Sequence, residues 1–210
     1  MLYVLDKQNS VLGNFIKEIR SVEVQNDPLR FRKNIERIAQ VMCYEISKTL
    51  NYKTESVKTP LGVAPTNVVA DKIVVASILR AGLGMVNGML SLVPSAKVGH
   101  IGMYRDEETF EPQEYYCKLP DKIEEKLVLI VDPMLATGGS ACDAITRLKD
   151  RGCKNIKFMA VIGAPEGVSK VAETHPDVQI FVSTLDRCLN ENGYILPGLG
   201  DAGDRLFGTK

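Results

Sequence analysis

Short unbroken apolar runs recur through the later two thirds of the chain, each followed by small residues and then by a stretch with helical spacing. Ile73–Leu79 (IVVASIL) and Leu127–Val131 (LVLIV) have the length and β-branched content of strands buried on both faces, as in a parallel sheet. Residues 157–162 (KFMAVI) and 178–183 read as two more strands. Between them, Ala141, Ala144, Ile145 and Leu148 keep helical spacing over 141–152, and 165–173 reads as a further helix. Leu83–Leu92 is also helical, with Gly84 and Gly88 on one side, open to close packing against the sheet or another subunit. This alternation predicts an α/β fold, a mainly parallel central sheet flanked by helices on both faces.

Before Ile73 the period changes. Ile35, Ile38, Met42, Ile46 and Leu50 recur every three or four residues, so 29–49 should be a long surface helix with one buried stripe, started by Asp27 and Pro28. Arg30, Arg32, Lys33, Arg37 and Lys48 read as its solvated basic face. Phe15, Ile16 and Ile19 add a short amphipathic helix, and residues 1–60 form an N-terminal helical segment to which the sequence assigns no chemistry. Residues 54–59 alternate like a strand, and 62–67 read as a loop containing Gly and Pro. Two strand-like runs, 97–104 and 114–119, flank RDEETFEPQ and predict a β-hairpin arm over 98–119 with a charged tip. In that tip Asp106, Glu107, Glu108, Glu111 and Glu114 surround Arg105, and simple pairing with them is the bland reading of that arginine. The C-terminal segment, 184–210, differs: over 190–208 it is Gly-rich and irregular, either a floppy tail or an ordered lid.

With 210 residues, 45% of them hydrophobic, the chain can fill one core, and a single domain over 1–210 is expected. Net charge is zero, which argues against a general basic surface for nucleic acid. Five cysteines without a C-x-x-C pair argue against a disulfide framework or a zinc cluster and suit a reducing cytoplasm. No stretch has the order of a signal peptide, and no apolar run reaches the roughly 18 residues of a membrane span. His175, before Pro176 and Asp177, reads as a solvated turn residue, and His100 falls in an alternating strand; two histidines leave little for a triad or metal site.

Chemistry concentrates at LVLIVDPMLATGGS, residues 127–140. Asp132 puts a carboxylate at a strand's carboxyl end, and Thr137, Gly138, Gly139 and Ser140 form a small-residue turn into a helix. The first N–H groups of a helix lack intrahelical partners and carry the positive end of its dipole, so phosphate fits there. Taken alone, TGGS is equally a plain strand-to-helix turn with a Ser cap. A Walker A loop needs Lys after its last Gly, and here Ala141 follows Ser140. The formal G-x-G-x-x-G at Gly198, Gly200 and Gly203 has no βαβ unit after it, so a dinucleotide fold is excluded on that motif. Arg80, Ala81 and Gly82 follow another strand, and a tight, positively charged turn there suggests an anion without requiring a nucleotide.

VDPMLATGGS resembles the phosphoribosyl-pyrophosphate (PRPP) motif of the type I phosphoribosyltransferases, with Pro133 where many members carry a second acid. That Asp-Pro variant is similar to the uracil phosphoribosyltransferase branch, as are ILRAGLGM (78–85), YRDEET (104–109) and NENGYILPGLGDAGDRLFGT (190–209). The resemblance implies transfer of phosphoribose from PRPP to uracil, giving UMP and diphosphate in pyrimidine salvage. It implies PRPP binding by Arg80, Arg105, Asp132, Pro133, Met134, Leu135, Ala136, Thr137, Gly138, Gly139, Ser140 and Asp201, and uracil binding by Ile195, Gly200, Asp201 and Ala202 in a C-terminal base-binding hood. Asp201 and Arg105 are the expected catalytic residues. Magnesium is expected as the cofactor, carried in by PRPP with no direct protein ligand, and GTP is an effector candidate. A homo-oligomer, dimer or larger, is expected from the protruding hairpin and glycine-faced helix. Two alternatives remain: a regulator of pyrimidine genes that uses the same fold to bind RNA, and a transferase for another nucleobase.

Overall fold

The computed structural model describes residues 1–105 and 112–209, with the side chains of residues 104, 105, 112 and 113 outside the described set. The chain starts in an edge strand, β1 (Leu2–Val4), where Tyr3 stacks on Phe181 with ring centroids 4.4 Å apart. Three residues are too short to leave a periodic signal, so the sequence does not announce this strand. Helix α1 (Leu12–Arg20) buries Leu12, Ile16 and Ile19. Helix α2 (Pro28–Ser47) begins with Pro at its first turn and the Asp27 carboxylate accepting from the Arg30 N–H; it buries Ile35, Ile38, Met42 and Ile46, the stripe its spacing predicts.

Next comes a departure. Strands β2 (Tyr52–Thr59) and β3 (Gly62–Val69) form an antiparallel ribbon, so residues 62–67 are a strand and not a loop, and the N-terminal segment is not wholly helical. Pro65 is tolerated because a two-stranded ribbon leaves outer edges unpaired, and the largely exposed surface removes the hydrophobic alternation that marks a half-buried strand.

Strand β4 (Ile73–Leu79) and helix α3 (Leu83–Leu92) follow with the predicted bounds. Within the chain, Gly84 and Gly88 face α2 and the C-terminal segment rather than the sheet. A Cβ on Gly88 would lie 2.3 Å from the Glu36 carbonyl oxygen and one on Gly84 2.8 Å from the Leu206 side chain, so these glycines let α3 cross α2 and the C-terminal segment at close range. Strands β5 (Lys97–Arg105) and β6 (Pro112–Lys118) pair antiparallel, and the lower part of β5 also pairs with β4. The base of the expected arm is therefore part of the main sheet; its tip, 106–111, lies outside the described residues. One of its acids, Glu114, pairs with Arg151 at 3.2 Å and Arg147 at 3.6 Å.

Strand β7 (Leu127–Val131) leads through the short β8 (Met134–Leu135) to helix α4 (Gly139–Asp150), then strand β9 (Asn155–Gly163), helix α5 (Pro165–Thr174) and strand β10 (Gln179–Leu185). His175 is not solvated. It closes α5, is 5% exposed, and its Nε2 lies 3.0 Å from the Cys142 carbonyl oxygen, because the chain reversal presses it onto α4. The terminal segment is ordered: a small hairpin of β11 (Cys188–Leu189) and β12 (Ile195–Leu196), then helix α6 (Ala202–Phe207). Its irregular reading is corrected by Leu199, Ala202 and Leu206, all buried against the core, and by the Asp201 side chain, which caps α6 by accepting from the Asp204 N–H at 2.9 Å.

The main sheet runs β1-β10-β9-β7-β4-β5-β6, parallel throughout except for β5 and β6, with β8 beside β9. Alternate residues of β4 serve two cores. Ile73 and Val75 pack with α1, α2, α3 and α6, whereas Val74, Ala76 and Ile78 join Ile145, Leu148 and Val171 of α4 and α5. Both faces are covered, as an apolar parallel sheet requires. From β4 the chain passes to β5 on one side, and from β7 to β9 on the other. The crevice beyond the carboxyl ends of β4 and β7 is therefore a topological switch point, where open α/β sheets bind ligands.

Candidate active site

Arg80 leaves the end of β4 and Asp132 the end of the neighbouring β7. The peptide between Leu79 and Arg80 is cis. A Cβ on Gly82 would sit 2.5 Å from the Val131 carbonyl oxygen and 2.6 Å from that of Ile78, so only glycine lets the 80–82 turn lie across the mouth of the sheet. The Arg80 guanidinium stands half exposed, 3.7 Å from the Asp204 carboxylate and 5.7 Å from the Phe207 ring centroid. Among the described residues it is a cation at the crevice whose ion pair with Asp204 is a long one.

Asp132 is fixed by its backbone N–H, which bonds the Met159 carbonyl at 3.1 Å, and by its Oδ1, which accepts from the Met134 N–H at 3.2 Å. Burial pushes its carboxyl up to about 7, against a smaller downward pull from that Met134 N–H. A ligand hydroxyl donating to this carboxylate would favour its ionised form.

The turn after β8 is laid flat on the start of α5. Gly138, at φ +80°, precedes α4, and a Cβ on it would be 2.9 Å from the Gly167 carbonyl oxygen; one on Gly167 would be 2.3 Å from that of Ala136. Gly139, Ser140 and Ala141 then open the helix with N–H groups that have no intrahelical acceptor. A cavity of about 220 Å³ faces them, lined by Asp132, residues 134–141, Asn192 and Gly193. It adjoins one of about 320 Å³ lined by Arg80, Ala81, Asp132, Met134, Ala136, residues 193–195 and residues 200–203. Asp132, Met134, Ala136 and Gly193 belong to both, so the two spaces form one cleft.

The cleft thus gathers Arg80, Asp132, Met134, Leu135, Ala136, Thr137, Gly138, Gly139, Ser140, Ile195, Gly200, Asp201 and Ala202. Pro133 lines neither space. It is buried behind the loop, where its carbonyl accepts from the Ile162 N–H at 2.9 Å. The Arg105 side chain lies outside the described set. Sequence reasoning missed Asn192, Gly193, Tyr194 and Gly203 as lining residues and did not count Ala81 or Ala141 among the site residues. The only signal for three of them is the turn at 190–194, where Asn190 Oδ1 accepts from the N–H groups of Asn192 and Tyr194 and Gly193 takes φ +77°.

Chemically the cleft offers an anion cradle at one end, a carboxylate shared by both spaces, a cation, and a part lined by Ile195 and residues 200–203. Among the described residues no group of three or more His, Cys, Asp or Glu side chains converges as a metal cage, and no helix is long and apolar enough to cross a membrane.

Residues 7–209 match the family model described as "Uracil phosphoribosyltransferase". A protein of that name from Clostridium acetobutylicum is 57% identical over 181 residues, covering 86% of this chain and 87% of the relative. Among solved structures, the AQ2163 protein from Aquifex aeolicus is 36% identical with a TM-score of 0.91, covering 100% of this chain and 99% of its own. A hypoxanthine-guanine phosphoribosyltransferase from Bacillus anthracis, 12% identical with a TM-score of 0.53 over 76% of this chain and 80% of its own, shares the fold.

Proposed function

The chain belongs to the uracil phosphoribosyltransferase family, and from that premise we propose that its cleft carries phosphoribose from PRPP to uracil, releasing diphosphate and forming UMP. The observation that carries the reading is the shared cleft itself: an anion cradle, a carboxylate and a cation at the ends of adjacent parallel strands, beside a slot lined by Ile195 and residues 200–203. PRPP needs these three kinds of contact, and a nucleobase needs the slot.

In this reading residues 136–140 hold the 5′-phosphate through the first N–H groups of α4 and the Thr137 and Ser140 hydroxyls. Asp132 accepts from the ribose hydroxyls. Arg80, joined by Arg105 from the arm, holds the pyrophosphate. Uracil N1 attacks the anomeric carbon as the bond to pyrophosphate breaks, with positive charge developing on the ribose ring. The arginines stabilise the departing charge, and one well-placed donor of this sort is worth about 3 to 4 kcal/mol. Asp201 orients the base at the mouth of the slot.

Asp132 and Asp201 are the carboxylates among the described lining residues. That donor set suits magnesium, which keeps several waters and takes its other oxygens from substrate phosphates. These two residues would hold its water shell, and the ion when bound would neutralise pyrophosphate charge.

Uracil presents acceptor, donor and acceptor along O4, N3–H and O2, to be met by backbone groups of Ile195, Gly200 and Ala202. Cytosine reverses two of those contacts, and unpaired buried polar groups can give discrimination of about 10⁴. The regulator and other-base readings are not favoured, because the relative at 57% identity carries the enzyme's name. Five free cysteines support a reducing cytoplasmic setting. Exposed Val57, Leu61 and Val63 on the β2–β3 ribbon support a homo-oligomer. GTP as an effector is tested by rate against PRPP concentration with and without it. The function itself is tested by diphosphate release from PRPP and magnesium with uracil, cytosine, orotate, hypoxanthine or no base. Release with uracil alone is expected; release with another base overturns the slot reading, and none with any base overturns the enzyme reading.

A further inference from the structure

The slot is built on residues 195–202, a segment with little regular structure of its own. Its central turn is held from outside. Gly198, at φ +64°, closes so tightly that a Cβ would lie 2.2 Å from the Ile195 carbonyl oxygen. Its N–H donates to Asp186 Oδ2 at 2.8 Å, and its carbonyl accepts from Arg20 at 3.1 Å. Arg20 and Asp186 in turn pair with each other, Nη1 to Oδ2 at 2.9 Å and Nη2 to Oδ1. The Asp186 side chain is 3% exposed and that of Arg20 22%. Arg20 is the last residue of α1 and Asp186 follows β10 directly, so a pair 166 residues apart in sequence grips both backbone polar groups of one glycine. The next residue is held too: Arg205 donates to the Leu199 carbonyl at 2.9 Å and also to that of Ile19.

The geometry points to Arg20 and Asp186 as positioning residues for the nucleobase, acting through Gly198 to set how residues 195–202 stand over the cleft. This rests on the reading of that slot as the uracil site. Neither side chain lines the cleft, so the pair acts through the backbone. Charge balance alone would need only the Arg20–Asp186 contact. Here each partner also binds a different polar atom of Gly198, so displacing either one displaces the wall that reads the base. A slot matching three hydrogen-bonding atoms tolerates displacement of only about 0.5 Å. The N-terminal helix α1, which had no assigned chemistry, is thereby part of base selection.

Arg20→Lys keeps a cation against Asp186 but lacks the planar fork that reaches both carboxylate oxygens and the Gly198 carbonyl together. The expected result is a rise of about tenfold in KM for uracil, the scale of one lost hydrogen bond to a charged group. KM for PRPP stays within about twofold and the thermal midpoint is little changed, while the preference for uracil over cytosine falls. A second variant, Arg20→Met with Asp186→Leu, removes both charges together and so leaves neither uncompensated. It too should fold and be impaired for uracil alone. Unchanged KM for uracil in either folded variant overturns the proposal, and so does a parallel rise in KM for both substrates, which a merely structural pair would produce. Ala202→Val, inside the slot, separates the two levels. If it leaves KM for uracil unchanged, the slot reading itself fails; if it raises KM for uracil while Arg20→Lys does not, only the positioning role fails.

Discussion

Replacing Asp132 by asparagine keeps the side chain's shape and its acceptor for the Met134 N–H, but removes a carboxyl that burial holds at a pKa of about 7 against an ordinary 3.8. Because the folded pKa is the higher, the native protein keeps a proton that the unfolded chain has lost between about pH 4 and pH 7. Stability from this group is fully present below about pH 4 and is lost as the pH rises through about 7, then stays level. Roughly three pH units at about 1.4 kcal/mol each set a ceiling of about 4 kcal/mol. The carboxamide of Asp132→Asn does not titrate, so the ligand-free variant should be more stable than the parent at pH 8, by up to that amount or about 10 °C in Tm. The gain should shrink towards pH 4. Catalysis should move the other way, with kcat/KM for PRPP falling about 10- to 100-fold through loss of a charged acceptor for the ribose hydroxyls. Urea unfolding at pH 5 and pH 8, with diphosphate-release kinetics on the same preparations, reads both effects. A variant less stable at pH 8, a gain equal at both pH values, or an unchanged kcat/KM would refute the reasoning.

Other residues separate packing from chemistry in different ways. Asp201→Asn retains a good helix cap for α6, so thermal stability should hold while turnover drops severely; near-normal turnover in the purified variant removes Asp201 from the mechanism. Gly82→Ala places a Cβ 2.5 Å from a β7 carbonyl, and the turn must shift; a loss of about 1–3 kcal/mol in urea unfolding with weaker PRPP use is expected, and an unperturbed variant contradicts the close approach. Arg105→Ala should raise KM for PRPP while leaving KM for uracil near its parent value, and an unchanged PRPP dependence counts against the arm.

What could be read before folding was whatever lies in one stretch of chain. Ile73–Leu79 and Leu127–Val131 were legible with their bounds because strands buried on both faces are continuous apolar runs. Asp132, Arg80 and the 136–140 turn were legible because strand ends and helix starts concentrate their chemistry locally. The β2–β3 ribbon was half missed, since an exposed strand containing Pro65 carries a loop's composition. Helix α6 was missed because six residues hold too few apolar positions to show a period, although Asp201 and Gly208 mark its ends. His175 looked like a turn residue and is one, but its burial depends on α4, thirty-odd residues earlier. Asn192, Gly193 and Tyr194 enter the cleft only when the terminal segment folds back over β4 and β7. The grip of Arg20 and Asp186 on Gly198 joins three distant stretches, none of which carries a motif for it.

The most direct test of the account is a crystal structure of the protein bound to UMP. The account predicts the 5′-phosphate against the N–H groups of residues 138–140, the ribose hydroxyls on Asp132, and the uracil edge against backbone atoms of Ile195, Gly200 and Ala202. UMP seated with its phosphate elsewhere, or with its base outside the 195–202 slot, would contradict it.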